Sequence, residues 1–400
     1  DLLLCIDGDI FYIFLLKLES SSVNRGRSST CNICKQMKIM IVCPKLSHGG
    51  AERVGVVLAN GFVNRGHQVC VVADLNKPVT YQLDEYVTLR NLVSSDKYKF
   101  LKWLRAVITL RKIIKEEKPH VIIGILELFS FVSRLATIGM NIPIIATEHD
   151  SFERPVSAPM SRIESFFKYY VNKMYGTVTL LTQADQICVE KYLSNTMVMP
   201  NPLCLPVVNT VPEKDKIILA AGRVDNWHCK GLDILIKSWG GIAKKYPDWK
   251  LQIAGVWLRK ESREYLDEIA AKFDCLGRIE YLGFQENMLP IYQRSSIFVL
   301  SSRYEGFGLV LIEAMSQGCA CVACDYKRRQ SEILEDGKDG IVCLPESVDD
   351  LKNSIEKMIS DKELREKYQN RAIERAEYYS IDHTMDRWER LLQKVVLNHR

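Results

Sequence analysis

The stretch SSRYEGFGLVLIEAMSQ, residues 301–317, follows a short apolar run, Ile297–Leu300, that is typical of a buried strand. The segment Leu309–Gln317 is apolar or small at nearly every position, so it is predicted to be a helix packed in a core. Between strand and helix stands Gly306-Phe307-Gly308. Glycines at such a turn let the backbone approach a ligand, and the first N–H groups of a helix have no partner within it. The turn therefore predicts a phosphate site.

Two glutamates accompany this turn. Glu305 lies in the loop, and Glu313 lies inside the predicted helix. A carboxylate repels phosphate but accepts hydrogen bonds from vicinal hydroxyl groups, so the pair suits the sugars on either side of a diphosphate. The alternative for Glu313 is a charge on an exposed helix face. Because the rest of that helix is apolar, a carboxylate within it requires a partner.

Two cations stand near the start of the second alternating region of the chain. Arg223 follows the apolar strand Lys216–Ala221, and Lys230 precedes Gly231 and the next helix. An arginine fork and a lysine point charge at the top of one strand–helix unit would clamp a diphosphate. For any single arginine or lysine, the alternative is a solvated surface charge.

The turn after the first strand, Lys38–Cys43, reads SHGGAER at residues 47–53. Gly49 and Gly50 would admit a ligand to the start of the helix Ala51–Arg65. The motif is not G-x-G-x-x-G, which disfavours a dinucleotide. A tight turn without a ligand is the alternative.

A histidine follows another strand of the same region, Ile142–Thr147, in the sequence Glu148-His149-Asp150. In open parallel sheets, ligands bind beyond the carboxyl ends of the strands. His149 is therefore a candidate to bond a sugar hydroxyl group. A histidine on a surface loop is the alternative.

Apolar strands and amphipathic helices alternate in two series from Met37 onward, as in parallel α/β sheets. The strands predicted in the first series are Lys38–Cys43, Gln68–Asp74, Val121–Leu126 and Ile142–Thr147, and those in the second include Lys216–Ala221, Ile297–Leu300 and Ala320–Ala323. A chain of 400 residues is long enough for two cores. The sequence therefore predicts two Rossmann-like, doubly wound α/β domains facing a central cleft, residues 37–200 and 215–380, with a Pro-containing linker at 201–214. Residues 381–400 are expected to form a helix that crosses back to the first domain.

The composition is that of an ordinary globular protein, with 47% hydrophobic and 26% charged residues. A net charge of +5 is small for this length and disfavours nucleic-acid binding. The 13 cysteines are scattered, several in apolar runs, and indicate a reducing cytosol. Residues 1–36 lie outside the alternating pattern, and acidic residues interrupt the apolar run Leu2–Leu16. They are expected to be a disordered or non-native leader.

The four motifs together resemble glycosyltransferase family 4, the group 1 transferases with the GT-B fold. Glu305 and Glu313, separated by seven residues around Gly306-Phe307-Gly308, are the most specific element. The resemblance covers nearly everything from Met37 to Arg400. The SHGGAERV stretch is also similar to bacterial transferases that assemble polyprenyl-linked or surface glycans.

The resemblance implies a role for each motif. Arg223 and Lys230 would neutralise the leaving diphosphate, Glu305 would hold the donor sugar and Glu313 the ribose, while His149 contacts the donor sugar. The implied catalytic residues are Glu305, His149, Arg223 and Lys230. The implied donor-binding residues are Gly49, Gly50, Arg223, Lys230, Glu305, Gly306, Phe307, Gly308 and Glu313.

Three segments depart from the common pattern of the family. The gap between Arg223 and Lys230 is a residue or two longer than usual, the loop DYKRRQ at 325–330 lacks a frequent glycine pair, and Pro200-Asn201-Pro202 replaces Pro-Asn-Gly. These departures affect which base and sugar are bound more than whether a sugar is transferred.

The expected function is a retaining transfer of a hexose or N-acetylhexosamine from a nucleotide sugar, UDP-linked in the first instance. The acceptor would be a glycan or a polyprenyl-diphosphate-linked glycan of the cell surface. No Asp-x-Asp motif lies near the cations, so neither metal nor cofactor is expected. Two alternatives remain open: a nucleotide-sugar epimerase on the same fold, and a non-catalytic protein that binds anionic membranes.

A basic segment bears on where the protein acts. Residues 97–118 carry eight Lys or Arg and two Glu, and Trp103, Val107, Leu110 and Ile114 form an apolar stripe. Such a helix can lie on anionic lipid, which would place a cytoplasmic enzyme peripherally on the inner face of the membrane. The alternative is that the stripe packs on the sheet and the cations are solvated.

Overall fold

The computed structural model describes residues 36–47, 49–92, 99–155 and 159–399. The predicted leader, His48 and part of the basic segment lie outside these residues. Two parallel β-sheets, each covered by helices, form the described chain. Both belong to one compact unit beginning at Met37, in which the two halves are in contact.

The N-terminal half (residues 36–200) contains the first sheet, whose strand order within the described residues is β3-β2-β1-β4-β5-β6-β7. Its strands are β1 Lys38–Val42, β2 Gln68–Ala73, β3 Thr88–Asn91, β4 Val121–Ile125, β5 Ile144–Thr147, β6 Thr177–Leu180 and β7 Thr196–Val198. Its helices are α1 Gly50–Asn64, α2 Lys99–Glu117, α3 Glu127–Ala136, α4 Arg162–Tyr169 and α5 Gln183–Val189.

The C-terminal half (residues 215–380) contains the second sheet, of order β10-β9-β8-β11-β12-β13 in the described chain. Its strands are β8 Asp215–Ala221, β9 Lys250–Ala254, β10 Ile279–Gly283, β11 Ser295–Leu300, β12 Ala320–Cys324 and β13 Ile341–Cys343. Its helices are α6 Trp227–Lys230, α7 Leu232–Gly240, α8 Lys260–Lys272, α9 Leu289–Arg294, α10 Leu309–Ser316, α11 Arg329–Ile333, α12 Val348–Ser360 and α13 Lys362–Glu377.

The central strands are fully buried because both faces of each sheet are covered. β4 and β12, for example, are buried at every position, which explains their unbroken apolar sequences. The strand order reverses between β1 and β4 in the first sheet and between β8 and β11 in the second. These are the switch points at which open α/β sheets bind ligands.

The last helix, α14 (Ile381–Asn398), packs on the N-terminal half rather than on the half that precedes it. Its Trp388 meets Phe62 of α1 edge to face, with ring centroids 6.1 Å apart. A side chain at Gly61 would lie 2.5 Å from the sulfur of Met385, so glycine permits the close approach of α1 and α14. The chain thus passes between the halves twice, and the two passages touch: the N–H of Leu203 donates to the carbonyl of Tyr379 over 2.7 Å.

Three strands of the first sheet differ from the sequence expectation, which had only four strands there. β3 is an exposed edge strand of sequence TLRN, and β6 and β7 have only four and three residues. Short strands of this kind carry little periodicity. His149 therefore follows the fifth strand along the chain, not the fourth.

Candidate active site

The strand-to-helix turn predicted to bind phosphate lies between β11 and α10. Gly308 caps the N-terminus of α10 with a φ of +101°, a left-handed conformation that favours glycine. A side chain at Gly306 would stand 2.7 Å from the carbonyl oxygen of His149, so this turn touches the loop after β5 of the other half. The side chain of Phe307 is buried against Tyr379 in the core, and only its backbone is left for a donor.

Glu305 is held by a cation. The Nζ atom of Lys230 donates to Glu305 Oε1 over 2.6 Å, and Ser302 Oγ donates to the same oxygen over 2.7 Å. Burial disfavours the charge of Lys230, but the neighbouring carboxylate outweighs burial and raises the pKa of the lysine. The sequence prediction placed both residues at one site but did not foresee that they pair.

Arg223 is the exposed cation beside this pair. It lies close enough to Lys230 to oppose its charge. Its guanidinium has no hydrogen bond or ion pair with any residue that the structure describes. The six residues between Arg223 and Lys230 form a short 3-10 turn and α6, which accommodates the longer gap noted in the sequence. Arg223 is therefore available to bind an anion, whereas the charge of Lys230 is neutralised by Glu305.

The backbone around Lys230 is fixed by the β11–α10 loop. Gly231 has a φ of +60°, and a side chain there would collide with the carbonyl oxygen of Ser301 at 1.9 Å. Ser301 Oγ in turn donates to the carbonyl of Lys230 over 2.9 Å. Arg303 binds both carboxylate oxygens of Asp233 in α7, at 2.7 and 2.9 Å. Glycine is therefore required between Lys230 and α7, and the loop is anchored to that helix.

Glu313 has the partner that its apolar helix requires. Arg53 Nη1 donates to Glu313 Oε1 over 2.7 Å, and the hydroxyl of Tyr292 donates to Oε2 over 3.0 Å. The residue is 3% exposed, and burial raises its pKa, although both partners oppose the shift. Arg53 comes from α1 of the other half, so this ion pair spans the two halves.

Gly49 and Gly50 bring the first turn of α1 to the same place. A side chain at Gly50 would lie 3.2 Å from Leu309, the first residue of α10. The hydroxyl of Tyr81 lies 3.2 Å from both the amide nitrogen and the carbonyl oxygen of Gly49. The N-terminal turns of two helices from different halves are therefore in contact, and the first N–H groups of each helix have no partner within that helix.

The surroundings of His149 favour a neutral ring with its hydrogen on Nε2. Thr147 Oγ1 donates to the carbonyl of Gly124 and must therefore accept the hydrogen of His149 Nε2, which lies 2.9 Å away. Burial lowers the pKa of His149 to about 4. Its Nδ1 atom is buried and makes no hydrogen bond of good geometry with the described residues, although the side chain of Asn201 lies close enough to favour the protonated ring and so partly opposes the lowering of the pKa. A neutral ring with an available lone pair can accept a hydrogen bond from a hydroxyl group.

A buried ion pair beneath His149 was missed by sequence reasoning. Lys168 of α4 is fully buried and lies 3.1 Å from Glu148. It also donates to the carbonyl of Asp150 over 3.0 Å, and Asn172 donates to Glu148 over 2.7 Å. Burial raises the pKa of Glu148, with Lys168 opposing. The network fixes the loop that carries His149; in the sequence, a lysine in an amphipathic helix is indistinguishable from a solvated one.

The loop at residues 325–330, which lacks a glycine pair, contacts the N-terminal half. The sequence did not predict this contact. Lys327 and Arg328 have φ values of +48° and +70°, which are unfavourable for residues with side chains. Arg329 is fully buried and lies 2.6 Å from Asp185 of the N-terminal half, and Lys327 lies 2.7 Å from Glu153. These ion pairs stabilise a left-handed backbone conformation that glycine would adopt without strain.

The predicted site residues therefore meet where the carboxyl ends of β1, β5, β8 and β11 face one another. A mixed set of one exposed cation, two paired carboxylates, a neutral histidine and two helix N-termini can bind a diphosphate together with polyhydroxylated groups. Two known protein families match this sequence. The family described as "Glycosyl transferases group 1" matches residues 205–375, and the family described as "Glycosyltransferase Family 4" matches residues 48–194.

The chain belongs to the family 4, group 1 glycosyltransferases. An uncharacterized glycosyltransferase of Haemophilus influenzae is 29% identical over 86% of this chain and 97% of its own length. A Campylobacter jejuni N-acetylgalactosaminyltransferase, named for a diphosphoundecaprenol-linked glycan, is 25% identical over 90% of this chain and 99% of its own.

Solved structures agree on the fold. Sucrose-phosphate synthase from Thermosynechococcus elongatus matches with a TM-score of 0.76 and 17% identity, over 90% of this chain and 99% of that one. Anabaena HepE, solved with UDP and glucose, matches with a TM-score of 0.73 and 18% identity, over 90% of this chain and 100% of that one. This glycosyltransferase therefore has the GT-B fold, as the sequence predicted.

Proposed function

We propose that this glycosyltransferase moves a hexose or N-acetylhexosamine from a UDP-sugar to a glycan or polyprenyl-diphosphate-linked acceptor, with retention of configuration. The observation that carries the proposal is the Glu305–Lys230 pair beside the exposed Arg223, which has no ion-pair partner among the described residues. It supplies two cations for a departing diphosphate and a carboxylate for sugar hydroxyl groups. The UDP in the HepE structures and the acceptors in the Campylobacter names support the donor and acceptor classes.

In the proposed reaction, the bond between the anomeric carbon and the diphosphate oxygen breaks while the acceptor oxygen bonds to that carbon from the same face. Arg223 and Lys230 stabilise the charge that develops on the diphosphate. Its oxygen takes the proton of the acceptor hydroxyl. His149, neutral at pH 7, accepts a hydrogen bond from the donor sugar at Nδ1 and cannot serve as the proton source. Glu305 binds hydroxyl groups of the same sugar, while Gly49, Gly50 and the N-terminus of α10 lie against the phosphates.

The test is a panel of UDP-, GDP- and TDP-sugars offered with polyprenyl-diphosphate-linked glycans and with EDTA present. We expect transfer from a UDP-sugar to at least one lipid-linked acceptor, and an α-linked product from an α-linked donor by NMR. A product formed from the donor alone would indicate an epimerase. A product with inverted configuration would refute retention. Transfer that occurs without EDTA but not with it would refute the metal-free scheme.

We also propose that the N-terminal half contacts the membrane through α2. Its buried face includes Ala106, Leu110 and Ile114, so part of the predicted stripe packs on the fold. Leu104 and Ile108, however, are 48% and 59% exposed, and they share a surface with basic side chains, Arg105, Lys112 and Lys115. No helix in the described ranges has the length and apolar character to cross a bilayer. An amphipathic surface can instead lie on anionic lipid.

Flotation on vesicles decides this. We expect binding to vesicles with anionic lipid, weaker binding at high salt, and loss of binding in Leu104→Ser/Ile108→Ser, but not in Leu397→Ser, an exposed leucine of α14. Equal binding to neutral and anionic vesicles would refute the electrostatic mode.

For the domain organisation we propose the boundaries expected from the sequence: residues 37–200 as the acceptor domain, 201–214 as linker, 215–380 as the donor domain and 381–400 as the returning helix. Residues 1–36 are proposed to be dispensable. A chain beginning at Met37 should keep its melting temperature and its transfer rate. A fall in either would show that the preceding residues contribute to the fold.

A further inference from the structure

Both oxygens of the Glu313 carboxylate are occupied. Arg53 donates to Oε1 over 2.7 Å, and Tyr292 donates to Oε2 over 3.0 Å. The side chain of Glu313 is only 4% exposed, whereas that of Arg53 is 30% exposed. The carboxylate is therefore fixed inside α10, and the guanidinium is the partner that can move.

This occupancy bears on donor binding. The proposed function, on which the inference rests, assigns Glu313 to the ribose of the donor. A ribose hydroxyl that reaches Oε1 would compete with Arg53 for a buried acceptor with little free surface. Each carboxylate oxygen can accept a second hydrogen bond, but so little of the Glu313 surface is free that the space occupied by the guanidinium is the main approach for a ribose hydroxyl.

A displaced Arg53 has an anionic destination nearby. It lies in the first turn of α1, and Gly50 of that turn packs against Leu309, where α10 begins. That helix start is the place at which the diphosphate is expected, and a guanidinium binds phosphate with paired hydrogen bonds. The same arginine can thus reach the ribose-binding carboxylate and the phosphate-binding turn.

We propose that the donor nucleotide exchanges the partners of Arg53: the ribose takes its place on Glu313, and the guanidinium turns to the phosphates. Arg53 is then a donor-binding residue that phosphate captures only after ribose has freed it. A nucleoside alone must break the Arg53–Glu313 pair without compensation. A nucleoside diphosphate regains a charge-assisted bond for the one that it breaks.

The exchange predicts opposite effects on two ligands. In Arg53→Gln, uridine should bind about threefold to tenfold more tightly, because the competing guanidinium is gone and the buried Glu313 gains a donor from the ribose. UDP should bind about tenfold more weakly, because a phosphate contact is lost. Calorimetry with uridine, UDP, guanosine and GDP measures both effects without turnover.

The matched control is Arg65→Gln. Arg65 caps the C-terminus of the same helix with 29% of its side chain exposed, and it pairs with Asp386 of α14 over 2.7 Å, away from the predicted donor site. Its loss removes a similar ion pair and should leave the ratio of uridine to UDP affinity unchanged. Arg53→Lys, which keeps the charge but not the fork, should lower UDP affinity by a smaller factor, and it provides the same test if Arg53→Gln does not fold.

Two results would overturn the exchange. If the Arg53 variant binds uridine and UDP more weakly by the same factor, Arg53 has a structural role only. If its affinities for both ligands are unchanged, Arg53 has no role in donor binding. In either case nucleotide binding by the unchanged protein keeps the donor proposal intact. A protein that binds neither UDP nor GDP overturns the donor proposal and, with it, the exchange.

Discussion

Replacing Glu305 by Gln should separate donor binding from turnover. Glutamine keeps the shape and leaves an oxygen that can accept from Lys230, but it removes the negative charge that pairs with the lysine over 2.6 Å. Lys230 then faces the diphosphate with its full charge. At the same time the transferred sugar loses a charged hydrogen-bond acceptor.

The size of the effect follows from the geometry. Two unit charges 2.6 Å apart attract by about 1.6 kcal/mol in bulk water and by about 6 kcal/mol at an effective dielectric constant of 20. The two side chains are 23% and 13% exposed, and the glutamine oxygen retains part of the bond, so about 1.5 kcal/mol is available. UDP should therefore bind about tenfold more tightly, whereas kcat should fall about 100-fold if the lost bond strengthens in the transition state.

Calorimetry with UDP and steady-state kinetics with the donor sugar measure the two effects. Glu356→Gln is the matched control, since Glu356 pairs with Lys245 over 2.5 Å on the surface of the C-terminal half, and its loss should change neither quantity. A UDP affinity that falls in step with kcat would refute the reasoning, because Glu305 would then stabilise bound nucleotide rather than hold Lys230 in reserve.

Three further outcomes are expected. Arg223→Gln should weaken UDP binding by about tenfold to 100-fold and leave uridine binding unchanged, as calorimetry would show, because the guanidinium is proposed to contact only phosphate. The pKa of His149 is about 4 in the folded chain and about 6.5 in the unfolded one. Between these two values the unfolded state binds more protons than the folded state, so lowering the pH from 6.5 to 4 destabilises the folded protein. His149→Gln should make this loss of stability smaller by about 1–3 kcal/mol. This would flatten the pH profile of urea unfolding; an unchanged profile would contradict the assignment. Trp388→Ala should lower the free energy of unfolding by about 3–5 kcal/mol in the same assay, because this buried ring packs on Phe62.

The sequence was sufficient for the fold and for predicting that the candidate site residues lie at the ends of buried strands. Long apolar runs gave β1, β4, β8, β11 and β12, because strands buried on both faces leave an unmistakable pattern. The short exposed strand β3 escaped, since four polar-rich residues at an edge resemble a loop. The same logic holds for the site: residues in turns after buried strands could be placed, because parallel strands end at one edge.

Pairings between the halves could not be read from the sequence. The need of Glu313 for a partner followed from its apolar helix, but that the partner is Arg53, 260 residues away, depends on how the two sheets face each other. The same is true of Arg329 with Asp185. Such contacts leave no local periodicity, and each arginine alone reads as a solvated charge.

The two chain passages between the halves, joined by the bond from Leu203 to Tyr379, have a mechanical consequence. Two adjacent backbone segments joined by a hydrogen bond form a hinge. Such a hinge restricts the relative motion of the halves to rotation about one axis and opposes sliding of one half along the other. A protease cut in 206–212 would sever one passage only. The fragment ending there would still hold α14, the last piece of the other fragment, through the contacts of Trp388 and Met385. The nicked protein should therefore run as one species under native conditions and separate into two only in denaturant.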